Sequence, residues 1–394
     1  MGARIPFNRP FVAGKELYYI AQAVTFGNIA GDGHFTQQCS RTLEQRFGIA
    51  KVLMVPSCTA ALEIAAMLAD LKEGDEVILP SFTFVSTANA VMRMGAKPVF
   101  VDVRPDTLNI DDQKIEDAIT SRTKAIFPVH YAGVACEMDR ILAIASQHGL
   151  TVIEDAAQGV NSFYDGRALG SIGQLGAYSF HETKNYICGE GVPFASMIRS
   201  SSSGPRSFAT REPIERIPCG AKDKYTWVEV GSSYVPSEIV SAFLFAQLEM
   251  LDVIAERRQR IYQHYRHELK QLEAEGLLRL PHIPDDCRSN YHMFYILVQS
   301  QEIRDELMEY LRKNNIQAVF HYVPLHTSPM GESLGYGPGD LPVTEEYSGR
   351  ILRLPFFYDI AEEEQARVVG AISEFLRHHA PTRRIHQSTT TGSS

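Results

Sequence analysis

The sequence lacks the patterns that would place it in several common classes of protein. Its six cysteines are scattered without a CxxC pair, which argues against a disulfide framework and a zinc site. No run of about 18 apolar residues occurs and the N-terminus has no apolar signal core, so we expect a soluble, cytoplasmic protein that does not bind a membrane. The net charge of −9 argues against nucleic acid as a partner.

Two nucleotide-binding signatures are also missing, because the sequence contains neither a GxGxxG motif nor a P-loop. Hydrophobic content of 44% and charged content of 22% are ordinary for a globular protein. At 394 residues the chain exceeds the usual size of a single core. We therefore expect two domains that share one active site.

Short apolar runs alternate with helical patterns between about residues 50 and 180. This alternation predicts an α/β domain with a mostly parallel sheet covered on both faces. Ligands of such sheets bind at the carboxyl ends of the strands, where His130, Asp155 and Lys184 all fall. The predicted strands are residues 76–80, 98–102, 125–130, 151–155 and 177–180, and the helices between them include residues 60–71 and 137–148.

The C-terminal part of the chain predicts a smaller α+β domain. A long helical pattern covers residues 237–276, and it is followed by strands at 293–298 and 318–322, a helix at 303–314 and a helix at 361–378. We divide the chain into a large domain (residues 1–250), a small domain (residues 251–380) and a tail (residues 381–394). The tail is rich in Ser and Thr and is expected to be disordered.

Asp155 and Lys184 each follow an apolar run that reads as a buried strand. Such an acid and such a lysine could hold pyridoxal 5'-phosphate (PLP), with the amine bonded to the cofactor and the carboxylate keeping the pyridine nitrogen protonated. Each residue also has an ordinary explanation, since lysines are common in surface turns and aspartates commonly end strands. Gln158 could point at the phenolic oxygen of the cofactor, or it could be a solvated helix residue.

Other candidate residues are weaker when each is taken alone. Thr59 and Ala60 open a predicted helix, whose free N–H groups would bind phosphate unless the segment is only an N-cap. Phe84 could stack on a flat ring, although an aromatic at this position is more often part of a core.

Residues 321–326 (HYVPLH) could donate hydrogen bonds to a sugar. Two histidines five residues apart do not share one face of a helix, and no third ligand is evident, so we expect no metal.

Six segments in a fixed order resemble the DegT-like nucleotide-sugar aminotransferases, which have the fold-type I PLP architecture. The resemblance covers about residues 5–378, apart from the segment at 192–222. The six segments are residues 57–63 (SCTAALE), 80–87 (PSFTFVST), 129–139 (VHYAGVACEMD), 152–159 (VIEDAAQG), 179–191 (SFHETKNYICGEG) and 321–326 (HYVPLH).

The resemblance implies a role for each candidate residue in binding PLP or in catalysis. Lys184 would form the Schiff base and move protons, while Asp155 would pair with the ring nitrogen. The remaining cofactor contacts would come from Gln158, Phe84 on the ring, and Thr59, Ala60 and Ser179 at the phosphate.

Two further implications concern the substrate and the partner subunit. His326 and Tyr322 would lie near the sugar. The family is dimeric with a shared site, and Ser233 stands where most relatives place an Asn from the partner subunit near the phosphate.

The activity implied by the resemblance is amination of a dTDP-4-keto-6-deoxyhexose by L-glutamate, which yields a 4-amino-4,6-dideoxy sugar for cell-surface polysaccharides. Its partners would be the nucleotide sugar and L-glutamate. Alternatives are amination at C3, a different nucleotide, or an inactive homologue. Lys184 argues against a fourth alternative, a PLP-dependent sugar dehydratase, because such relatives have histidine in its place.

Residues 192–222 depart from the resemblance, with a run of four serines, four prolines and neither strand nor helix periodicity. Codons can be chosen for this stretch so that the adjacent reading frame encodes a family-like strand and helix. We therefore interpret residues 192–222 as a compensated frameshift, which the nucleotide sequence would test.

Overall fold

The computed structural model describes residues 3–188 and 234–379. The predictions for residues 192–222, for Ser233 and for the tail at 381–394 lie outside the described residues. No helix in the described ranges is long and apolar enough to cross a membrane.

The described elements alternate as expected over the first half of the chain. The helices are α1 (Glu16–Phe26), α2 (His34–Phe47), α3 (Cys58–Leu68), α4 (Val85–Met92), α5 (Met138–His148), α6 (Glu238–Leu248), α7 (Leu251–Ala274), α8 (Gln301–Lys313), α9 (Pro329–Ser333), α10 (Pro342–Arg350) and α11 (Glu362–His378). The strands are β1 (Glu76–Pro80), β2 (Lys97–Val101), β3 (Thr123–Ile126), β4 (Thr151–Ala156), β5 (Phe163–Tyr164), β6 (Arg167–Ala168), β7 (Leu175–Tyr178), β8 (Cys287–Arg288), β9 (Tyr295–Leu297) and β10 (Ile351–Arg353).

Five parallel strands form the central sheet, in the order β2-β1-β3-β4-β7. Successive residues of a strand enter different cores: Ile126 and Val152 pack into one hydrophobic cluster, while Ala125 and Ile153 pack into another. Because side chains alternate across a strand, both faces of the sheet are buried. This explains why the strands read as continuous apolar runs, and the predicted α/β sheet is confirmed.

The predicted third strand is shorter than residues 125–130, since β3 ends at Ile126. Pro128 has no N–H to donate and thus interrupts the ladder. Pairing resumes beyond it as an isolated bridge between Val129 and Asp155. The chain therefore leaves the sheet just where the candidate residues begin.

The single helix predicted for residues 237–276 is wrong, because the chain forms α6 and α7 with a break at Glu249 and Met250. The Met250 amide donates to Gln247 O over 3.0 Å, a tight turn that redirects the chain. Neither Gly nor Pro marks the break, so the sequence carries no local signal for it. Further along, α7 packs into two cores, with Ile254 in the same cluster as Ile126 and Val152 and Ile261 in a third cluster.

That third cluster also contains residues of α8, α11 and the antiparallel pair β9–β10. The strand predicted at residues 318–322 is wrong, because only Val319 pairs there, in an isolated bridge with Arg353. Tyr322 has φ 46°, a left-handed conformation that no extended strand accommodates. This turn directs residues 321–326 toward the carboxyl ends of the large sheet.

Candidate active site

Asp155 and Lys184 lie at the same edge of the central sheet. Asp155 is near the end of β4, where its amide donates to Pro128 O over 2.9 Å and its carbonyl accepts from the His130 amide over 3.1 Å. Lys184 lies in the turn after β7, the neighbour of β4, and its amide donates to His181 O over 2.8 Å. Parallel pairing of two adjacent strands thus brings the acid and the lysine to one site, as predicted from their positions.

The Asp155 carboxylate is buried and held by two hydrogen bonds. Thr87 Oγ1 donates to Oδ2 over 2.7 Å, and the Ala157 amide donates to Oδ1 over 3.1 Å. The Thr87 hydroxyl is itself 2.9 Å from Thr83 Oγ1. No cationic nitrogen of residues 3–188 or 234–379 lies within ion-pair distance of Asp155. A buried carboxylate without a cation is costly, and a protonated pyridine ring would compensate it.

The Lys184 amine is half-buried and makes no hydrogen bond to a described residue. Burial lowers the pKa of Lys184, and the charge of Arg353 lowers it further, whereas Cys58 and Asp155 act in the opposite direction. The net lowering enlarges the fraction of free amine, which is the nucleophilic form. This is the environment that a lysine needs to bond a carbonyl compound.

The N-terminus of α3 lies beside the same site, because Thr59 Oγ1 is 2.8 Å from the hydroxyl of Ser86, the residue before Thr87, which binds Asp155. Ser57 caps the helix by accepting the Ala60 amide over 2.9 Å, so the amide of Ala60 already has a partner. The amides of Cys58 and Thr59 have no acceptor among the described residues. Two free donors at the positive end of a helix dipole suit a phosphate.

Hydroxyl groups add to this candidate phosphate site. Thr59 Oγ1 is 2.8 Å from Ser86 Oγ, so the two hydroxyls are held together. Ser179 is buried just after β7, where its Oγ accepts the His181 amide over a long 3.4 Å. Ser233, which the resemblance assigns to the partner's contribution, lies outside the described residues.

Phe84, Tyr322 and Gln158 form one flank of the site. Phe84 is 57% exposed at the start of α4, and its ring centroid is 6.5 Å from that of Tyr322. Gln158 Nε2 donates to Tyr322 Oη over 3.1 Å, while its Oε1 accepts the Ala132 amide over 2.7 Å. The exposed Phe84 ring is free to stack on a cofactor, whereas Gln158 is fixed between two protein groups.

His326, predicted to lie near the sugar, is fully buried, and both of its ring nitrogens have protein partners. Nδ1 is 2.7 Å from Ser81 Oγ, at the end of β1, and Nε2 is 3.1 Å from Glu345 Oε1. Burial alone would raise the pKa of Glu345, but the hydrogen bonds that it accepts from His326 and from backbone amides lower it. These contacts indicate that His326 anchors residues 321–326 to the sheet.

Sequence reasoning missed several residues that shape the site. Thr87 orients Asp155 from α4, and the spacing of two threonines four residues apart, at 83 and 87, is the signal that could have indicated it. His292 Nδ1 is 2.9 Å from Asn185 Oδ1 and thereby holds the residue that follows Lys184. Arg353 is a charge between apolar residues of one short segment, and this pattern is the signal that could have indicated it.

These features define the class of protein. The carboxyl edge of its parallel sheet carries the hydrogen-bonded carboxylate of Asp155, the amine of Lys184 without a hydrogen bond to a described residue, and the N-terminus of α3, which suits a phosphate. Together they fit PLP, whose ring nitrogen, aldehyde and phosphate would each meet a matching group. A model of the DegT/DnrJ/EryC1/StrS aminotransferase family matches residues 12–373, so the chain belongs to that family. The prediction of the family and of the fold-type I architecture is confirmed.

Individual relatives cover most of the chain. A pleiotropic regulatory protein of Geobacillus stearothermophilus is 39% identical over 81% of this chain and 83% of its own length. The spore coat polysaccharide biosynthesis protein SpsC of Bacillus subtilis is 33% identical over 95% of this chain and 97% of its own.

Solved structures agree with this assignment. A DegT DnrJ EryC1 StrS aminotransferase from Brucella abortus superposes with a TM-score of 0.83 at 30% identity, covering 92% of this chain and 95% of its own. NtdA from Bacillus subtilis, with bound cofactor PMP, has a TM-score of 0.83 at 27% identity, covering 96% of this chain and 86% of its own.

Proposed function

We propose that the protein transfers the amino group of L-glutamate to C4 of a dTDP-4-keto-6-deoxyhexose, which yields the 4-amino-4,6-dideoxy sugar. The broader prediction, a sugar aminotransferase with PLP as its cofactor, is confirmed. The observation that carries the proposal is that the Lys184 amine, whose pKa is lowered by burial, lies at the same sheet edge as the Asp155 carboxylate, which Thr87 holds by a hydrogen bond.

The proposed substrate is supported by two further observations, the name of one relative and the sequence around Ser233. The name of SpsC places that relative in polysaccharide biosynthesis, and we propose the same destination for the product here. The resemblance at residues 231–235 (GSSYV), where Ser233 stands in place of the usual Asn, supports the galactosamine-forming branch of the family. We propose that the protein is cytoplasmic, because its nucleotide-sugar substrate would be present in that compartment.

The side chains of the site divide the chemistry between them. Bound PLP supplies an electron sink for the pair of electrons left when a proton leaves carbon. Asp155 keeps the ring nitrogen protonated, and Thr87 fixes the carboxylate in place. Lys184 Nζ takes the proton from Cα of glutamate and, in the second half of the reaction, delivers a proton to C4 of the sugar. The exposed face of Phe84 covers the ring.

A homodimer is the second part of the proposal. Helix α1 and the segments beside it expose Val12, Leu17, Tyr18, Phe26 and Ile29, and Leu17 is 79% exposed. Exposed apolar residues concentrated in one region of a surface often mark an interface. We propose that a second copy of the chain covers these residues, which we call the α1 patch (Val12, Leu17, Tyr18, Phe26 and Ile29).

The proposed function is tested with the purified full chain, PLP, L-glutamate and dTDP-4-keto-6-deoxyglucose, with the product analysed by NMR. We expect a 4-amino sugar and 2-oxoglutarate. Lys184→Ala should lower turnover by at least about 10³-fold because the proton-transfer group is lost. Lys72→Ala removes an exposed lysine and serves as the matched control.

Sustained turnover by Lys184→Ala would contradict the role of that lysine. A product aminated at C3, or conversion only with another nucleotide, would replace the substrate but keep the enzyme class. If the wild-type chain binds PLP but converts no ketosugar, the alternative of an inactive homologue, which rests on residues 192–222, would take its place.

A further inference from the structure

The residue that follows Lys184 is fixed to a distant part of the chain. Asn185 is buried, and its side chain makes two hydrogen bonds to the segment between β8 and β9. Its Nδ2 donates to Asn290 O, 105 residues further along, over 2.8 Å, and its Oδ1 is 2.9 Å from His292 Nδ1. The backbone beside Lys184 is therefore held by side-chain contacts, although the Lys184 amine is not.

These contacts determine which nitrogen of His292 carries a proton. Because Nδ2 of Asn185 donates to a carbonyl, the amide oxygen is the atom that faces His292, and an amide oxygen can only accept. His292 Nδ1 must therefore be the donor. Burial lowers the pKa of His292 well below its usual range, so the neutral ring carries this single proton.

A buried arginine holds the backbone of His292 in place. Arg258 of α7 donates from Nε to Tyr291 O over 3.0 Å and from a terminal nitrogen to His292 O over 2.6 Å. Tyr291 has φ 52°, a left-handed conformation in which two successive carbonyls can face one guanidinium. A shift of this backbone would leave buried donors of Arg258 without acceptors, which is costly.

Asn290 fixes the same segment to the chain that follows Asp155. The Asn290 amide donates to Ser162 Oγ over 2.9 Å, and its Nδ2 donates to Gln158 O and to Val160 O, each over 2.8 Å. The segment at 290–292 thus connects the turn that carries Lys184 with the segment that leaves β4.

We propose that His292 is a positioning residue for Lys184, because its Nδ1–H, acting through Asn185, fixes the backbone from which the lysine side chain reaches the reacting carbons. This inference rests on the proposed function, since it requires Lys184 to transfer protons. Nζ must reach Cα of glutamate in one half of the reaction and C4 of the sugar in the other. A free side chain on a fixed backbone can reach both atoms, whereas a displacement of about 1 Å can lower the rate about 10²-fold.

Two substitutions separate the hydrogen bond of His292 from its packing. The amide group of an asparagine overlies Nδ1 of a histidine, whereas that of a glutamine overlies Nε2. His292→Asn therefore keeps a donor to Asn185 but leaves the larger cavity, and His292→Gln fills more of the space but misplaces the donor. In His292→Gln we expect kcat to fall about tenfold to a hundredfold with the KM for L-glutamate nearly unchanged. His292→Asn should stay within about threefold of the wild-type kcat.

Amide hydrogen exchange gives a second readout in the PLP-free enzyme without substrate. The Lys184 amide donates to His181 O over 2.8 Å and the Cys188 amide to Phe180 O over 2.9 Å, so both report on the turn. In His292→Gln the peptide at residues 180–188 should exchange at least about tenfold faster, and in His292→Asn close to the wild-type rate. Asn185→Ala removes the acceptor and should reproduce both effects of His292→Gln, so it answers the question if His292→Gln does not fold.

His264→Gln is the matched control, because His264 is a partly buried histidine of α7 whose Nε2 has no hydrogen-bond partner. It should leave kcat and the exchange of residues 180–188 unchanged. Bound-PLP absorbance and the melting temperature establish that each variant is folded. Equal losses of kcat in His292→Asn and His292→Gln, a larger loss in His292→Asn, or unchanged exchange in His292→Gln and Asn185→Ala would each overturn the inference.

The outcome is separable from that of the proposed function. The exchange assay contains neither ketosugar nor cofactor, and kcat can be measured for the half-reaction with L-glutamate alone, so a wrong sugar assignment leaves both results intact. Conversely, a wild type that makes the 4-amino sugar while His292→Gln keeps full kcat and slow exchange refutes only the inference on His292.

Discussion

Asp155 and Lys184 are held in contrasting ways. The Asp155 carboxylate is fixed by Thr87 and by the Ala157 amide, whereas the Lys184 amine has no hydrogen-bond partner among the described residues. A fixed acid suits a group that must stay paired with one atom of a ring. A free amine suits a group that must reach more than one atom during a reaction.

The pH at which the Lys184 amine becomes reactive should depend on its burial and on the charges around it. In the PLP-free enzyme we expect Lys184 to react with an amine-selective anhydride at lower pH than N-acetyl-lysine in the same solution, because burial lowers its pKa below 10.5. Mass spectrometry of the labelled peptide across a pH series measures the midpoint. A midpoint at or above that of N-acetyl-lysine would contradict the lowered pKa.

Two variants should move this midpoint in opposite directions. Arg353 lowers the pKa of Lys184, so Arg353→Gln should raise the midpoint. Asp155 raises that pKa, so Asp155→Asn should lower the midpoint. A common direction for both variants would show that they act through altered folding and not through charge.

The sequence was sufficient to place Asp155 and Lys184 together, because parallel strands put their carboxyl ends at one edge. It was not sufficient for Thr87 or Arg353. Thr87 reaches the strand residue Asp155 from helix α4, and Arg353 comes from a strand 169 residues after Lys184. Contacts between such distant segments have no local pattern in the chain.

At the scale of elements, Glu154 links β4 to the segment that precedes β7 through hydrogen bonds of its side chain. This buried carboxylate accepts the amides of Gly170, Ile172 and Gly173 over 2.6–2.7 Å, and its Oε2 is 2.8 Å from His130 Nε2. Side chains alternate along β4, so Glu154 and Asp155 point to opposite faces. One carboxylate thus holds the turn before β7 while its neighbour faces the site.

Glu154→Ala should destabilise the protein by about 3–5 kcal/mol, because three amides and His130 would be left buried without their acceptor. The loss is measured from the midpoint of denaturant unfolding. Glu363→Ala removes an exposed carboxylate in the first turn of α11 and should change stability by less than about 1 kcal/mol. Equal losses in the two variants would contradict the structural role of Glu154.

Helices and strands were predicted well where the local sequence pattern was strong, and poorly where tertiary contacts determine the local structure. The strands at 76–80 and 151–156 and the end of α5 at Gly149 follow from apolar runs and from a glycine with φ 66°. The break between α6 and α7 has no such signal, because the chain turns to enter a second core. Residues 318–322 have strand-like composition, yet only Val319 finds a partner.

At the scale of the whole molecule, the residues of the α1 patch belong to none of the hydrophobic clusters of the described residues. Helix α1 packs on α6 through residues such as Tyr19, whose ring lies 5.3 Å from that of Phe245. Leu17 and Phe26 remain outside this contact. From the sequence alone these residues look like ordinary core, since a helical pattern does not tell which apolar face lacks a neighbour.

We expect the wild-type protein to elute as a dimer in size-exclusion chromatography with light scattering. Leu17→Glu combined with Phe26→Glu should shift it to the monomer, because charges would be buried in the interface. Val253→Glu alters an exposed apolar residue of α7 outside the α1 patch and should leave the dimer intact. A wild-type monomer, or a double variant that stays dimeric, would contradict the proposed interface.

The sequence by itself determined the parallel sheet, the family and the sheet edge that carries the acid and the lysine. Each of these follows from local periodicity or from short motifs. Only the tertiary structure decided that Thr87 holds the Asp155 carboxylate, that His326 is an anchor and that the buried Arg353 Nε has no partner among the described residues. The physical reason is that burial and pairing of a charge depend on segments far apart in the chain, which meet only when the hydrophobic cores have formed.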